Sequence, residues 1–321
     1  MTGSPCIAGI AYAFAEGAHS VAELGAAGLL ASDPAVLEGF GFARAHVAVA
    51  ESPYQLALAA ARRLLEERGI APESVDVLLY GGTPGPLAQQ PADAPWDGGL
   101  LQTTARFKYP AARLQYHLGL ERASVLGLDQ LACTTLFGAA RLARALCVAE
   151  GVERVLCVAS EFFPAAAGRE AIFNCVSDAA VALLVEGHGT RNKIAGAAHV
   201  TKGYYWDCEA LRDEIVASYF PTAAHVVQRA IAAASWGAAD VDWVIPHNVS
   251  RTSWDILLGL LRLPRARLWA HNIARRGHAL AGDNFINLRD ALDGGDVRPG
   301  EKLVLFAYGY GAHWTALAVE A

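Results

Sequence analysis

The chain has 321 residues, of which 54% are hydrophobic and only 18% charged, with a formal net charge of −6. That length makes about two ordinary domains or one large α/β body, and the apolar excess leaves surface for a second subunit. Mild acidity without a run of Lys and Arg argues against a nucleic-acid partner.

The amino terminus MTGSPCIAGIAYAF has no basic stretch ahead of its apolar residues. No window reaches about 18 uninterrupted apolar residues, so a cytoplasmic protein with no membrane segment is expected. Helical periodicity over 51–68 leads into the strand pattern VDVLLYGG (75–82). A helix follows at about 105–118, a buried strand at 123–132, a helix at 133–150 and strands at 154–161 and 179–186. The second half predicts a helix at 221–235, a strand at 241–248, helices at 250–262 and 284–293, and a strand at 302–309. Such alternation is the signature of an α/β protein with buried sheets.

The segment AARRLLEERGIAPESVDVLLYGG (60–82) aligns without a gap on VVQRAIAAASWGAADVDWVIPHN (226–248), at an offset of 166 residues. That offset is about half the chain, so a duplicated α/β half is expected. No Pro/Gly/Ser linker divides the halves, and the polar stretch 161–178 is the best crossover. The division is therefore set at 1–168 and 169–321, two halves packed into one body.

Six cysteines show no CxxC pair and no metal-ligand spacing, and no metal is expected. Cys147, Cys157 and Cys175 lie in apolar runs, as small core residues do. Cys133 is different, because it falls where a buried strand turns into a helix. A thiol there feels the positive end of the helix dipole, and its own N–H is a free donor, so nucleophile and half an oxyanion hole can come from one residue. Another buried, inert cysteine is the alternative.

His247 follows Pro246 at the end of a strand, where α/β enzymes place reactive groups. Gly309 and Gly311 interrupt a strand hairpin over 306–319, which marks either close backbone approach to a ligand or a tight turn. The stretch RRGHALAGDN (275–284) carries His278 and Asp283 five residues apart. On a helix that spacing is about 500°, so the pair meets only if the chain turns, as Gly277 and Gly282 allow. The plainer alternative is that Asp283 caps a helix starting near Asn284.

Taken in order, these motifs resemble the β-ketoacyl-(acyl carrier protein) synthase III branch of the thiolase superfamily, almost end to end. VDVLLYGGTPG is similar to its early strand and loop, RLQYHLGLERASVLGLDQLACTTLFGAARLA to its nucleophile strand and helix, and NCVSDAAVALLVE to its Gly-Asp-Gly strand. VIPHNVS is similar to its Pro-His motif and GYGAHWTALAV to its carboxy-terminal Gly-rich hairpin. The resemblance implies a five-layered αβαβα fold of two duplicated halves, a homodimer, and an active site at their junction. It also implies Cys133 as nucleophile, His247 as the family's histidine, and the backbone N–H groups of Cys133 and Gly311 as the oxyanion hole.

Two departures stand out. Thr134 and Thr135 follow the nucleophile where the family has Ala or Gly, so the neighbouring pocket is expected to differ in shape. More importantly, His278 follows Gly277 where the family keeps asparagine. Asparagine donates a hydrogen bond without titrating; histidine also accepts a proton, and a carboxylate on it gives Cys-His-Asp logic. His278 and Asp283 are similar in spacing to natural-product offshoots of the family that load starter units or acylate sugars and other acceptors.

The leading expectation is transfer of an acyl group from a CoA or acyl-carrier-protein thioester through Cys133 to a hydroxyl or amine of a small-molecule acceptor. No bound cofactor is expected; the CoA or phosphopantetheine thioester is substrate. Asn248, Arg251 and Arg276 are candidate substrate contacts, although solvated arginines near loops are common. Two alternatives stay open: a starter-unit synthase condensing with malonyl thioester, and a non-catalytic subunit paired with an active homologue.

Overall fold

The computed structural model describes residues 4–82, 109–164 and 166–321. Residues 83–85 of the early loop motif and 105–108 of one expected helix lie outside them. The chain opens with β1 (Ser4–Phe14), then a small pair, β2 (Gly17–Ser20) and β3 (Arg44–Val47), enclosing α1 (Val21–Ala26) and α2 (Pro34–Gly39). Next come α3 (Pro53–Arg68), β4 (Val77–Gly82), α4 (Pro110–Leu118), β5 (Ser124–Leu128), α5 (Thr135–Ala149) and β6 (Arg154–Glu161). The two-residue strands β7 (Glu170–Ala171) and β8 (Asn174–Cys175) precede β9 (Ala179–Gly189). The remainder is β10 (Lys193–Thr201), α6 (Arg212–Ala233), β11 (Trp243–Ile245), α7 (Arg251–Leu261), α8 (His271–Arg276), α9 (Asp283–Asp293), β12 (Lys302–Gly309) and β13 (His313–Glu320).

Strands line up in the order β11-β12-β13-β10-β1-β9-β6-β4-β5, with β1 and β10 joined only at Cys6 and Lys193. That order contains one pattern twice. β4-β6-β9-β1 in the first unit corresponds to β11-β12-β13-β10 in the second, and Val77 and Trp243, which open β4 and β11, keep the 166-residue offset. The first unit therefore closes at Gly189, and the division expected after residue 168 falls inside it.

Burial sorts the elements into five layers. The odd-numbered core residues of β4, β6, β9 and β12 meet α5 and α9, which lie between the two sheets, as Leu79, Cys157, Leu183, Leu305, Phe137 and Phe285 show. The opposite face of the first sheet packs on α3 and α4 through Leu78, Leu156, Leu64 and Leu114. The opposite face of the second sheet packs on α6 and α7 through Val304, Phe306, Val227 and Leu258. This is the five-layered αβαβα, thiolase-like arrangement, and the period-2 alternation of the strands produces it directly. The apolar stretch Ala132–Ala149, which by length and composition alone would pass for a membrane span, contains α5, one of the two helices between the sheets.

Local chemistry sets the helix ends. Ser52 and Gln55 form a reciprocal capping box, Pro53 starts α3, and Gly69 ends it in the left-handed region at φ 61°. α6 begins at Arg212, nine residues before the expected start at Pro221, and carries that proline within its length. The apolar face supplied by Ile215 and Val226 spans both sides of it, and tertiary burial outweighs the lost backbone bond. β5 differs from expectation too. It is the edge of the sheet and substantially exposed, with Leu126 44% accessible, although its sequence resembles a buried strand.

Gly196 in β10 is where α6 comes closest to the sheet. A Cβ there would sit 2.5 Å from the carbonyl oxygen of Ala230 and 2.7 Å from the amide nitrogen of Ala234. Gly196→Val is expected to destabilise the fold by ~1–3 kcal/mol through overpacking, read as a lowered midpoint in thermal or urea unfolding. An unchanged midpoint would show that the helix-to-sheet approach is looser than described.

Candidate active site

Cys133 sits in a tight turn, Ala132–Thr134, between β5 and α5. Gln130 and Ala132 on either side of Leu131 adopt positive φ of 67° and 45°, a conformation that non-glycine residues populate only under constraint. The turn is held by two hydroxyls: Thr134 Oγ1 donates to the Leu131 carbonyl and Thr135 Oγ1 to that of Ala132, each at 2.7 Å. The threonines that depart from the family pattern thus brace the turn that presents the thiol. Opposite lies Gly309, where a Cβ would be 2.7 Å from the Leu131 oxygen and 3.1 Å from the Cys133 nitrogen. The glycine backing the Cys133 amide is therefore Gly309. Gly311, at φ 132°, lies two residues on against the His313 ring.

His278 is clamped by main chain. Its N–H donates to Cys175 O at 2.7 Å and its carbonyl accepts from Ser177 N at 2.9 Å, so Val176 and His278 form a parallel bridge. Gly277, at φ 65°, is required just before it, since a Cβ would lie 2.8 Å from Cys175 O and 3.0 Å from Arg44 O. The ring then spans thiol and carboxylate: Nε2 is 3.9 Å from Cys133 Sγ, and Nδ1 is 2.7 Å from Asp283 Oδ2.

Asp283 is wholly buried and is the first residue of α9, yet it does not cap that helix. Oδ1 accepts the Ala279 N–H at 2.6 Å, while Oδ2 accepts the Asn248 N–H at 2.7 Å as well as the histidine. The capping alternative therefore fails, because both oxygens face the loop before the helix. Five residues apart, His278 and Asp283 meet because the turn at Leu280–Gly282 reverses the chain between them.

His247, 2% exposed, completes the cluster. Its ring crosses that of His278 edge-on with centroids 4.6 Å apart, and Nε2 lies 3.2 Å from Leu280 O and 3.6 Å from Asp283 Oδ2. Two acceptors at Nε2 fix the proton there, leaving Nδ1 as a buried lone pair with no hydrogen-bond partner.

The electrostatics separate the two rings. For His278 burial opposes the charged form, but the Asp283 carboxylate outweighs it and pushes the imidazole up to about 10. For His247 burial dominates, the charge on His278 adds to it, and Asp283 compensates only in part, drawing the ring down to about 3. Burial raises the Cys133 thiol, with His278 pulling it down and Glu161 and Asp283 pushing it further up. The Asp283 carboxylate thus favours a proton on His278 and burial disfavours one on His247, while burial opposes the thiolate of Cys133.

The weaker substrate candidates divide. Asn248 is engaged internally: its Nδ2 donates to Gly277 O and its Oδ1 accepts from Asn287 Nδ2, both at 2.8 Å, and the residue is buried. Arg276 lays its guanidinium over Phe14 and Tyr12, 5.0 and 5.8 Å from the ring centroids, behind the His278 loop. Arg251 stays exposed at the start of α7, with its stem against Gly41.

Sequence reasoning missed Asn284 and Asn287 on α9. Asn284 Nδ2 donates to Ile245 O and Phe306 O at 2.9 Å, tying together the ends of β11 and β12; Asn287 Nδ2 reaches Pro246 O as well as Asn248. Two asparagines three apart on an otherwise apolar helix face were the available signal. Also missed was the buried pair Arg169–Asp178, at 2.7 Å. Asp178 additionally accepts the N–H groups of Ala48 and Phe163, and so anchors the segment that grips His278.

Residues 231–321 match the family model for the 3-oxoacyl-[acyl-carrier-protein (ACP)] synthase III C terminal. A β-ketoacyl-[acyl-carrier-protein] synthase III from Rhodospirillum centenum is 26% identical over 312 residues, 90% of each chain. Among solved structures, the 3-oxoacyl-[acyl-carrier-protein] synthase III of Aquifex aeolicus superposes with a TM-score of 0.82 at 19% identity, covering 99% of this chain and 100% of that one. The acyltransferase ChlB3 superposes with a TM-score of 0.84 at 20% identity, covering 99% and 98%. The fold is that of the thiolase-like enzymes. Within it, the chain is similar to β-ketoacyl synthase III proteins, whose family model it matches over residues 231–321.

Raising the pH must strip one proton from the thiol–imidazolium pair to give the reactive thiolate. The acidic limb of Cys133 alkylation or acylation is therefore expected above the ordinary imidazole range. In Asp283→Asn the imidazole loses the charge that holds its proton, and the limb should move to lower pH. A limb that stays in place in the pH–rate profile of that variant would contradict the assigned roles.

Proposed function

We propose that the protein is an acyltransferase that takes an acyl group from a CoA or acyl-carrier-protein thioester onto Cys133 and passes it to a hydroxyl or amine of a small-molecule acceptor in natural-product metabolism. The observation that carries this reading is the continuous Cys133–His278–Asp283 relay, 3.9 and 2.7 Å along its length. In the first half-reaction the Cys133 thiolate attacks the thioester carbonyl, and the departing thiol takes its proton from His278. In the second, the acceptor's O–H or N–H gives its proton to His278 as the heteroatom attacks the acyl-enzyme, and Cys133 leaves. A positioned base of this kind contributes typically ~10²–10⁴-fold.

Both tetrahedral intermediates place negative charge next to the first turn of α5. The Cys133 N–H and an N–H of the Gly309–Gly311 segment, with Gly311 the assigned donor, form the oxyanion hole in this reading. Fixed there, they act on charge that develops in the transition state.

Condensation with a malonyl thioester is less well supported, because an enolate oxygen asks for two neutral donors. His247 spends its one N–H on Leu280 O, leaving Nδ1 as a buried lone pair that can only accept. A lone pair suits an acceptor molecule's O–H or N–H. A purely structural subunit has no use for a relay in which every buried charge is paired with the nucleophile.

The acting species is proposed to be a homodimer. Among the described residues nothing pairs with the outer edge of β5, and Leu126 on it and Tyr116 on neighbouring α4 are 44% and 80% exposed. An unprotected apolar edge strand is a liability unless another strand covers it.

Two measurements test these readings. His278→Asn is expected to accumulate acyl-enzyme, seen by intact mass, while losing acceptor transfer by at least ~10²-fold and losing the acidic limb of its pH profile. Wild-type turnover in that variant, or carbon dioxide release with a β-keto product from malonyl thioester, would favour condensation instead. Leu126→Lys should convert a dimer to a monomer by light scattering. A wild-type monomer, or a dimer indifferent to the substitution, would remove β5 as the interface.

A further inference from the structure

We propose that Cys133, His247 and His278 also form a reversible binding site for a zinc-type divalent cation, whose occupancy switches the enzyme off. The sulfur and one ring nitrogen of each histidine lie within 4.8 Å of one another, and the three residues are 8, 2 and 4% exposed. Among the described residues no other trio of Cys, His, Asp or Glu converges in this way.

The geometry is close to what such an ion requires. Zn–S near 2.3 Å and Zn–N near 2.0–2.1 Å in a tetrahedron set ligand-to-ligand separations of about 3.3–3.6 Å. Cys133 Sγ and His278 Nε2 are at 3.9 Å and all three donors lie within 4.8 Å, so an ion closes the site by drawing the side chains together by roughly 1 Å. Thiolate and imidazole donors select zinc over magnesium or calcium, which prefer oxygen.

Two features distinguish this trio from a chance group of donors. Asp283 holds the far nitrogen of His278 at 2.7 Å, and that carboxylate is itself fixed by the N–H groups of Asn248 and Ala279. A carboxylate behind a ligating imidazole orients the ring and raises its basicity. Independently, His247 brings a buried ring nitrogen, Nδ1, that has no hydrogen-bond partner in the protein.

Three protein ligands leave the fourth position to water. Binding displaces the thiol proton of Cys133 and any proton on His278 Nε2 into solvent, and nothing is oxidised or reduced. Because the ion uses the sulfur and imidazole electron pairs that acyl transfer uses, metal and acyl group exclude one another.

The test titrates the full-length protein with Co²⁺, a spectroscopic stand-in, and then with competing Zn²⁺, with no acyl substrate present, so its failure leaves the acyltransferase reading untouched. The expected result is one equivalent per chain with a sulfur-to-cobalt absorption band that Zn²⁺ displaces. Cys133→Ala, shown to be folded by its melting curve, should lose the band. Asp283→Asn, which keeps the thiol and both imidazoles, should weaken binding by about 10–100-fold, and His247→Gln, which removes a ligand, should weaken it at least as much. Cys208→Ala should bind as the wild type does. Zn²⁺ should also block alkylation of Cys133, with reactivity restored by a chelator. No cobalt–sulfur band, or stoichiometric binding that survives Cys133→Ala, would overturn the proposal.

Discussion

The centre of this molecule is one carboxylate taken entirely out of water. Burying an uncompensated charge costs several kcal/mol even after relaxation, so Asp283 is tolerable only because its partners converge on it. Two backbone N–H groups and an imidazole meet its oxygens, and they come from the end of β11, the loop before α9 and the turn between them. Each must be placed to within a fraction of an ångström. Asn248, Asn284 and Asn287 bind these segments to one another and to β12.

The same carboxylate gives two histidines opposite characters. Both lie beside Asp283, but only one can hold a proton beyond its neutral form, because two positive rings 4.6 Å apart in a buried site repel each other strongly. His278, at 2.7 Å, takes the charge; His247, at 3.6 Å and bonded to a neutral carbonyl, does not. Distance to one group thus decides which ring is favoured to hold the extra proton and which is held neutral.

What could be read before folding follows a physical divide. Strands such as Arg154–Glu161 and Lys302–Gly309 were legible to the residue because their apolar runs and flanking polar residues are local signals. The places of Cys133, His278 and Asp283 were legible through motif order, and Gly282 allowed the turn, Leu280–Gly282, that brings the last two together. The central place of β1 was not, since Ser4–Phe14 is an unremarkable apolar run until β9 and β10 flank it. Nor was the exposure of β5, because an edge strand and a central strand share a composition and differ only in neighbours. Asn248 looked like a ligand contact because its partners lie 29 to 39 residues away, and Arg169–Asp178 was invisible because Asp178 answers to Ala48 across the fold. Polar groups serving the interior are chosen by tertiary distance, which periodicity does not encode.

The duplication has one more consequence. α5 and α9 occupy equivalent places in the two units, each the helix buried between the sheets ahead of the strand that follows it, and the turns that precede them touch. One start carries Cys133 and the other Asp283, so two positive helix ends point at the same few cubic ångströms. A single copy of the unit would own one such end and no partner for it. Doubling the unit leaves two similar halves free to differ, one start bringing a thiol and the other the carboxylate that holds the imidazole between them.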